Sequence, residues 1–294
     1  MNLNEAYDKH YKKLFIFPII LVIISMAIIG NHYYKTGDFV DKDVSLQGGV
    51  TGTIATTETF PGLEDFLKSR FSGSDITVRT LSEFGTETQI GILVEITKAD
   101  DKELKAALQE HVGFELTQDN YSVEIVGSSL GESFYKQMIT AILLSFIFMA
   151  VVVLIVFRTI IPSFAVVFAA FCDMIFAVAV IDLVGMKVST AGIAALLMLI
   201  GYSVDTDILI TTKVLKRTNE GSVSQRLIDG MKTGMTMTLA AIVALSAGYM
   251  ITTSFMLKQM FFIIIVGLIA DIISTYGMNA GILVWYAKRK HKHD

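Results

Sequence analysis

The chain has 294 residues, of which 53% are hydrophobic and only 18% charged, with a formal net charge of −4. A mean hydropathy of +0.58 excludes an ordinary water-soluble domain and points to the membrane class. The single cysteine, Cys172, excludes a disulfide framework or a cysteine-based zinc site within the chain. Charge is unevenly placed: residues 33–133 hold 8 Lys+Arg against 18 Asp+Glu, and the remainder holds 16 against 10. One acidic, water-facing domain and a basic-flanked membrane part are therefore expected.

The first apolar run is Leu14 to Gly30, preceded by Lys9, His10, Lys12 and Lys13 and followed by Tyr33 and Tyr34 as interfacial anchors. It is longer than the apolar region of a signal peptide and no small-x-small site follows, so a retained anchor is expected. Apolar or Gly residues then fall at even positions from Val44 to Ile54, the period of a strand, with Gly48 and Gly49 marking a bulge or close approach. Leu63, Phe66, Leu67 and Phe71 follow helical spacing after Pro61. Ile76 and Val78 alternate, Phe84-Gly85-Thr86 reads as a turn, and Ile90, Ile92, Val94 and Ile96 alternate again. Leu104, Ala107, Leu108, His111 and Val112 make a second amphipathic helix, and Val123 and Ile125 a last strand. The order β-α-β-β-α-β is that of a ferredoxin-like sandwich. Within it, Asn120-Tyr121-Ser122 is a formal glycosylation sequon, a triplet that also arises by chance.

Five more apolar runs follow, near residues 138–157, 163–184, 189–212, 235–253 and 259–286. The N-terminal tail, Arg158, residues 213–232 and residues 288–292 hold 13 Lys+Arg, whereas the opposing short loops hold only Lys187 and Lys258. The positive-inside rule places both termini in the cytoplasm and the acidic domain outside. The fold expected is a polytopic α-helical membrane protein with six transmembrane helices and one extracytoplasmic α+β domain between the first and second. Its divisions are residues 1–32 (tail and first span), 33–134 (outer domain), 135–287 (five-helix bundle) and 288–294 (basic tail).

Carboxylates inside the spans are the main functional signal, because an aspartate at mid-bilayer depth costs about 2.5–3.5 kcal/mol. Asp173, Asp205, Asp207 and Asp271 lie there, with Asp182 nearer an outer end. Two residues turn a helix by about 200°, so Asp205 and Asp207 face different neighbours. Asp207 falls on a polar stripe with Ser203 and Thr211, and Asp271 on another with Thr275 and Asn279. These stripes are expected to meet inside the bundle. Thr236 and Thr238, with Lys232 below them, add polarity to the fifth span. A buried carboxylate balanced between desolvation and polar neighbours can take up and release a proton, so Asp207, Asp205, Asp271, Asp173 and Lys232 are proton-relay candidates. Hydroxyl groups in such stripes also serve simply to bond their own helix backbone. No G-x-x-x-x-G-K-[ST] loop is present, which excludes P-loop nucleotide hydrolysis. An aspartyl protease pairing Asp173 with Asp207 leaves the outer domain and three further spans unexplained.

Three stretches carry a family resemblance. "DVSLQGGV" (43–50) looks like an aspartate-hydrophobe-Gly-Gly segment. "VGSSLGESF" (126–134), with Gly127 and Gly131, is similar to a Val-Gly-x-x-x-Gly segment leading into the second span. "GYSVDTD" (201–207) looks like a Gly-Tyr-Ser-x-Asn-Asp segment in the fourth. In this order they resemble the SecF family of protein-export membrane proteins, in its archaeal form, within the resistance-nodulation-division superfamily. The resemblance implies a non-enzymatic accessory subunit of the translocation machinery, without a cofactor. It also implies a plasma-membrane location beside a SecY-type protein-conducting channel, in contact with a SecD homologue, the translocating polypeptide and lipid, and it points to no nucleic acid. It places the family's key acidic residue at Thr206, with Asp205 at the asparagine position, so either Asp205 or Asp207 holds that duty here; helix geometry favours Asp207. It places the family's basic residue at Lys232. Gly48, Gly49, Gly127 and Gly131 become the motif glycines of the outer domain. A six-helix half of a small-molecule or lipid exporter of the same superfamily is the alternative.

Overall fold

A computed structural model of the protein describes residues 16–82 and 88–290. In chain order the elements are α1 (Ile16–Thr36), α2 (Val44–Gln47), β1 (Gly49–Ile54), α3 (Leu63–Arg70), β2 (Ile76–Ser82), β3 (Gln89–Ile96), α4 (Asp101–Val112), β4 (Tyr121–Val126), α5 (Ser128–Phe157), α6 (Ile160–Val184), α7 (Thr190–Leu215), α8 (Val223–Ile251), α9 (Phe255–Ser274), a π-helical turn (Thr275–Asn279) and α10 (Ala280–Lys290). The turn expected at Phe84-Gly85-Thr86, the basic residues before α1, and His291 and His293 lie outside the described residues.

The period-two segments pair into one antiparallel sheet of order β2-β3-β1-β4. With α3 and α4 this is the split β-α-β arrangement that the element order implied. Val50, Ile54, Ile92, Val94 and Ile96 bury their side chains against Leu63, Leu67, Leu104 and Leu108 of the two helices. Asp100 opens α4 by accepting the Asp101 N–H at 2.8 Å, and Gly113 closes it in the left-handed region.

One expected strand is shorter than its pattern. Only Gly49–Ile54 is extended, whereas Val44–Gln47 forms a helical turn. Asp43 caps that turn, its Oδ1 accepting the Ser45 N–H at 2.7 Å and the Ser45 hydroxyl at 2.6 Å. Gly48, with φ +84°, ends it. Val44 and Leu46 are both buried, so a capped turn satisfies the same apolar spacing that a strand would.

Six helices are long and apolar enough to cross a membrane: α1, α5, α6, α7, α8 and the α9–π–α10 unit from Phe255 to Arg289. Several extend beyond their apolar runs; α5, for instance, begins at Ser128, right after β4. Pro162 lies in the first turn of α6, where its missing N–H leaves no helical bond unmade. The last span is interrupted by its π turn, which periodicity did not indicate. α6 and α7 form the buried centre of the bundle, while α1, α5 and α8 present mostly exposed apolar faces.

The sheet sits on the bundle through the short α6–α7 loop. Val188 exchanges backbone bonds with the chain before α2: its N–H donates to Asp41 O at 2.6 Å, and its carbonyl accepts the Asp43 N–H at 3.0 Å. The Lys187 ammonium lies 2.6 Å from Asp75 Oδ1 and donates to Thr77 Oγ1 at 2.8 Å. The Arg79 guanidinium stacks 3.5 Å from the Phe255 ring centroid while pairing with Glu95 at 3.1 Å. Asn120 is engaged locally, its Nδ2 donating to Glu115 O at 3.0 Å and its Oδ1 accepting the Thr117 N–H at 2.7 Å.

Candidate functional site

The two polar stripes meet. Ser203, Asp207 and Thr211 of α7, Asp271 of α9, and Thr275 and Asn279 of the π turn are all fully buried. Thr275 Oγ1 lies 2.8 Å from Asp207 Oδ1 and 3.0 Å from Asp271 Oδ1. Asn279 Nδ2 donates to Asp207 Oδ1 at 2.6 Å. The π turn adds a residue to the helical circuit and so re-aims the side chains that follow it. Such turns recur at functional positions in helices.

Asp173, on α6, completes the cluster and is also fully buried. Its Oδ2 accepts the Ser203 hydroxyl at 2.6 Å and its Oδ1 the Ser274 hydroxyl at 2.5 Å. The Ser274 hydroxyl also lies 3.3 Å from the Asp271 backbone oxygen, which ties Asp173 to the same turn of α9. Three spans thus each bring one carboxyl to a single point. Among the described residues, none of the three forms an ion pair. Among the described residues, one oxygen of Asp207, one of Asp271, Thr211 Oγ1 and Asn279 Oδ1 have no hydrogen-bond partner. Isolated charges so far from water cost several kcal/mol each, and buried pairs survive only with compensating bonds. The arrangement is chemically suited to binding and passing on protons.

Other candidate residues lie elsewhere. Asp205 is exposed on the opposite side of α7, beside a cavity of about 130 Å³ lined by Tyr202, Thr206, Met237, Thr238, Ala241 and Leu268. Thr206 is buried on that side, close to Gly234 of α8. Lys232 and Thr236 are exposed, and the Thr236 hydroxyl donates to the Lys232 carbonyl at 2.9 Å. The structure does not bring Lys232 to the carboxyls. Ser274 escaped the sequence reading because it lies outside the i, i+4, i+8 stripe of its own span; it faces Asp173 rather than Asp207.

The motif glycines form a second constellation. A Cβ on Gly48 would come within 2.4 Å of Ser128 Cα, and one on Gly131 within 2.7 Å of the Gly48 nitrogen. Real side chains do not fit there, so the two glycine segments touch backbone to backbone where α2 crosses the start of α5. A Cβ on Gly49 would come within 2.3 Å of Ile96 O, whereas one on Gly127 would meet nothing within 4 Å.

Comparison with known proteins agrees with this architecture. The family profile described as protein export membrane protein SecD/SecF, C-terminal, matches residues 105–289. The protein-export membrane protein SecF of Pyrococcus furiosus is 38% identical over 285 residues, covering 96% of this chain and 93% of that one. This chain belongs to the SecD/SecF family. SecF of Methanocaldococcus jannaschii is 35% identical over 95% of this chain and 96% of its own. The crystal structure of SecDF from Thermus thermophilus, 18% identical, has the same fold over 98% of this chain with a TM-score of 0.75. This chain spans 40% of that longer SecDF chain. The family match takes in five spans and so includes every carboxyl of the cluster.

Proposed function

We propose that this chain is the SecF-type accessory subunit of the protein-export apparatus in the plasma membrane. It has both termini in the cytoplasm and the sheet domain outside. It acts with a SecD homologue beside a SecY-type channel, and its sheet domain meets the passenger polypeptide as it emerges. The proton gradient does work on the assembly through Asp207, Asp271 and Asp173. Moving one elementary charge through 100 mV is worth about 2.3 kcal/mol, enough to bias a conformational equilibrium between two states. The relatives named above and the three carboxyls buried together inside the bundle support this reading.

The observation that carries the coupling role is the bridge from Thr275 to Asp207 and Asp271 at 2.8 and 3.0 Å. One hydroxyl proton faces two competing acceptors, so a proton arriving at either carboxyl redistributes the bonds of α7 against α9. Ser189 caps the start of α7, its hydroxyl is bonded to Gln259 of α9, and Gln259 Nε2 donates to the Lys187 carbonyl at 2.6 Å. Lys187 in turn holds the sheet domain through Asp75. A shift of α7 against α9 therefore has a bonded route to the outer domain. The test is export of a secreted protein in cells carrying Asp207→Asn at normal abundance. Slowed export is expected, and wild-type kinetics would refute the coupling role.

A further inference from the structure

A buried cation without a counter-ion stands at the start of α8. Arg226 is 3% exposed, and among the described residues its Nε and Nη1 have no hydrogen-bond partner. Arginine is almost never fully buried unless paired, because an uncompensated charge away from water is strongly destabilising. Arg226 shares one face of α8 with Gly230, a turn further on. That face lies on α7: a Cβ on Gly230 would come within 3.4 Å of Ile210 Cα and 3.7 Å of Lys213 Cδ. Lys213 is therefore the neighbouring cation across the α7–α8 seam. Its ammonium donates to neutral acceptors, the Asp229 carbonyl at 3.2 Å and the Thr233 hydroxyl at 3.3 Å. Neither cation belongs to an ion pair among the described residues. Glu220 is taken by Arg217 at 3.2 Å, and the Asp229 side chain is exposed. The seam thus gathers two positive charges with no anion between them.

Helical side chains lean toward the N-terminus of their own helix, so the Arg226 guanidinium extends toward Ser222. There the Ser222 hydroxyl caps the Gln225 N–H at 3.3 Å, and the helix presents the positive end of its dipole. Residues 216–222 are all exposed, so this end of the seam opens at the α7–α8 loop. α8 has 29 residues, of which about 20 suffice to cross a bilayer core. Its apolar run begins only near residue 235, and that of α7 ends near 212. Arg226 and Lys213 therefore lie at the depth of lipid headgroups, where the characteristic anion is phosphate.

We infer that this end of the α7–α8 seam binds a phosphate group. Arg226 donates to it from its unpartnered N–H groups, Lys213 adds a point charge, and the N-terminal end of α8 stands behind it. Basic pockets between spans at headgroup level hold phosphates in this way. The group is a lipid headgroup or a free phosphate from the adjoining water, and the depth of the two cations favours the lipid. Which leaflet the site faces rests on the orientation proposed above; the site itself does not.

The test uses the full chain in a neutral detergent, with the unfolding temperature followed against added phosphatidylglycerol, diacylglycerol or inorganic phosphate. Phosphatidylglycerol should raise the unfolding temperature, and diacylglycerol, which lacks the phosphate, should not. Stabilisation by phosphatidylglycerol alone assigns the site to lipid, and stabilisation by inorganic phosphate assigns it to the free anion; either result upholds the site. Lys213→Met should weaken phosphatidylglycerol about tenfold, the effect of losing one hydrogen bond to a charged group. Lys216→Met, at an exposed position over the Phe157 ring, should change it by less than about twofold. Arg226→Met gives a crossing that a merely structural arginine would not. Without phosphate, removing an uncompensated buried charge should raise the unfolding temperature above that of the parent; with saturating phosphatidylglycerol the parent should be the more stable. No shift of the parent by either phosphate compound, an equal shift by diacylglycerol, or an undiminished phosphatidylglycerol shift in both Arg226→Met and Lys213→Met would overturn the inference. Asp207→Asn should respond to phosphatidylglycerol as the parent does, so the site and the coupling role stand or fall separately.

Discussion

Thr275 and Asp207 come from spans separated by 68 positions in sequence, yet the Thr275 hydroxyl lies 2.8 Å from the Asp207 carboxyl. The same hydroxyl lies 3.0 Å from Asp271. A threonine hydroxyl has one proton to donate, so at any moment it can serve only one of the two. Under the proposed coupling role, this shared donor is where a change in protonation would become a change in helix contacts.

The bridge can be tested by its conservative and its isosteric replacement. Thr275→Val keeps the shape and removes the donor, which should destabilise the protein by about 1–3 kcal/mol and slow export. Thr275→Ser should restore both. Thermal unfolding in mild detergent and an export assay read the two effects separately; equal stability of the Val and Ser variants would argue that the bond is not made.

Among the acidic candidates the structure ranks positions that sequence left open. Asp207→Asn should reduce export to the level of cells lacking the chain. Asp205→Asn and Lys232→Ala, both at exposed positions, should have much smaller effects. Export kinetics of the three variants at matched abundance decide this, and a larger loss from Asp205→Asn would move the function to the opposite side of α7.

The glycine contact makes a stability prediction. Gly131→Ala must push its new methyl into the Gly48 backbone, and Gly48→Ala meets Ser128 from a left-handed conformation as well. Each should cost about 1–3 kcal/mol, the usual range for overpacking. Gly127→Ala, with nothing within 4 Å, should lie within about 0.5 kcal/mol of the parent. Thermal unfolding, with limited proteolysis to report release of the sheet domain, checks the series.

Seating of the sheet domain should depend on pH. Burial raises the Asp43 carboxyl above its ordinary value of 3.8, against the lowering effect of its bonds to Ser45 and of Arg79 and Lys187. Burial raises Glu95 as well, partly opposed by Arg79. A raised folded-state value means that the folded form holds the proton more tightly than the unfolded form. The stability contribution is therefore full below the ordinary carboxylate range and is lost as pH rises through the raised value. Unfolding temperature measured against pH should fall across that window, and Asp43→Asn should flatten the slope. A rise in stability across the same window would contradict the assignment.

The class of the molecule and most of its elements are legible in the chain's local patterns. Six apolar runs, one acidic insertion and the period-two segments around Ile92 and Val94 are local patterns, because hydrophobic period and length are properties of short stretches of chain. The stripes Ser203–Asp207–Thr211 and Asp271–Thr275–Asn279 were legible for the same reason. Which stripes touch, and at which atoms, is set by the packed bundle. The π turn sets Thr275 and Asn279 on Asp207, Ser203 turns out to serve Asp173, and Lys232 is exposed and forms no ion pair with them among the described residues. The segments around Gly48 and Gly131, 83 positions apart, gained a shared meaning only when α2 and α5 were seen in backbone contact. Contacts between distant segments depend on helix register, crossing and close packing summed over the whole chain, and no local period encodes them.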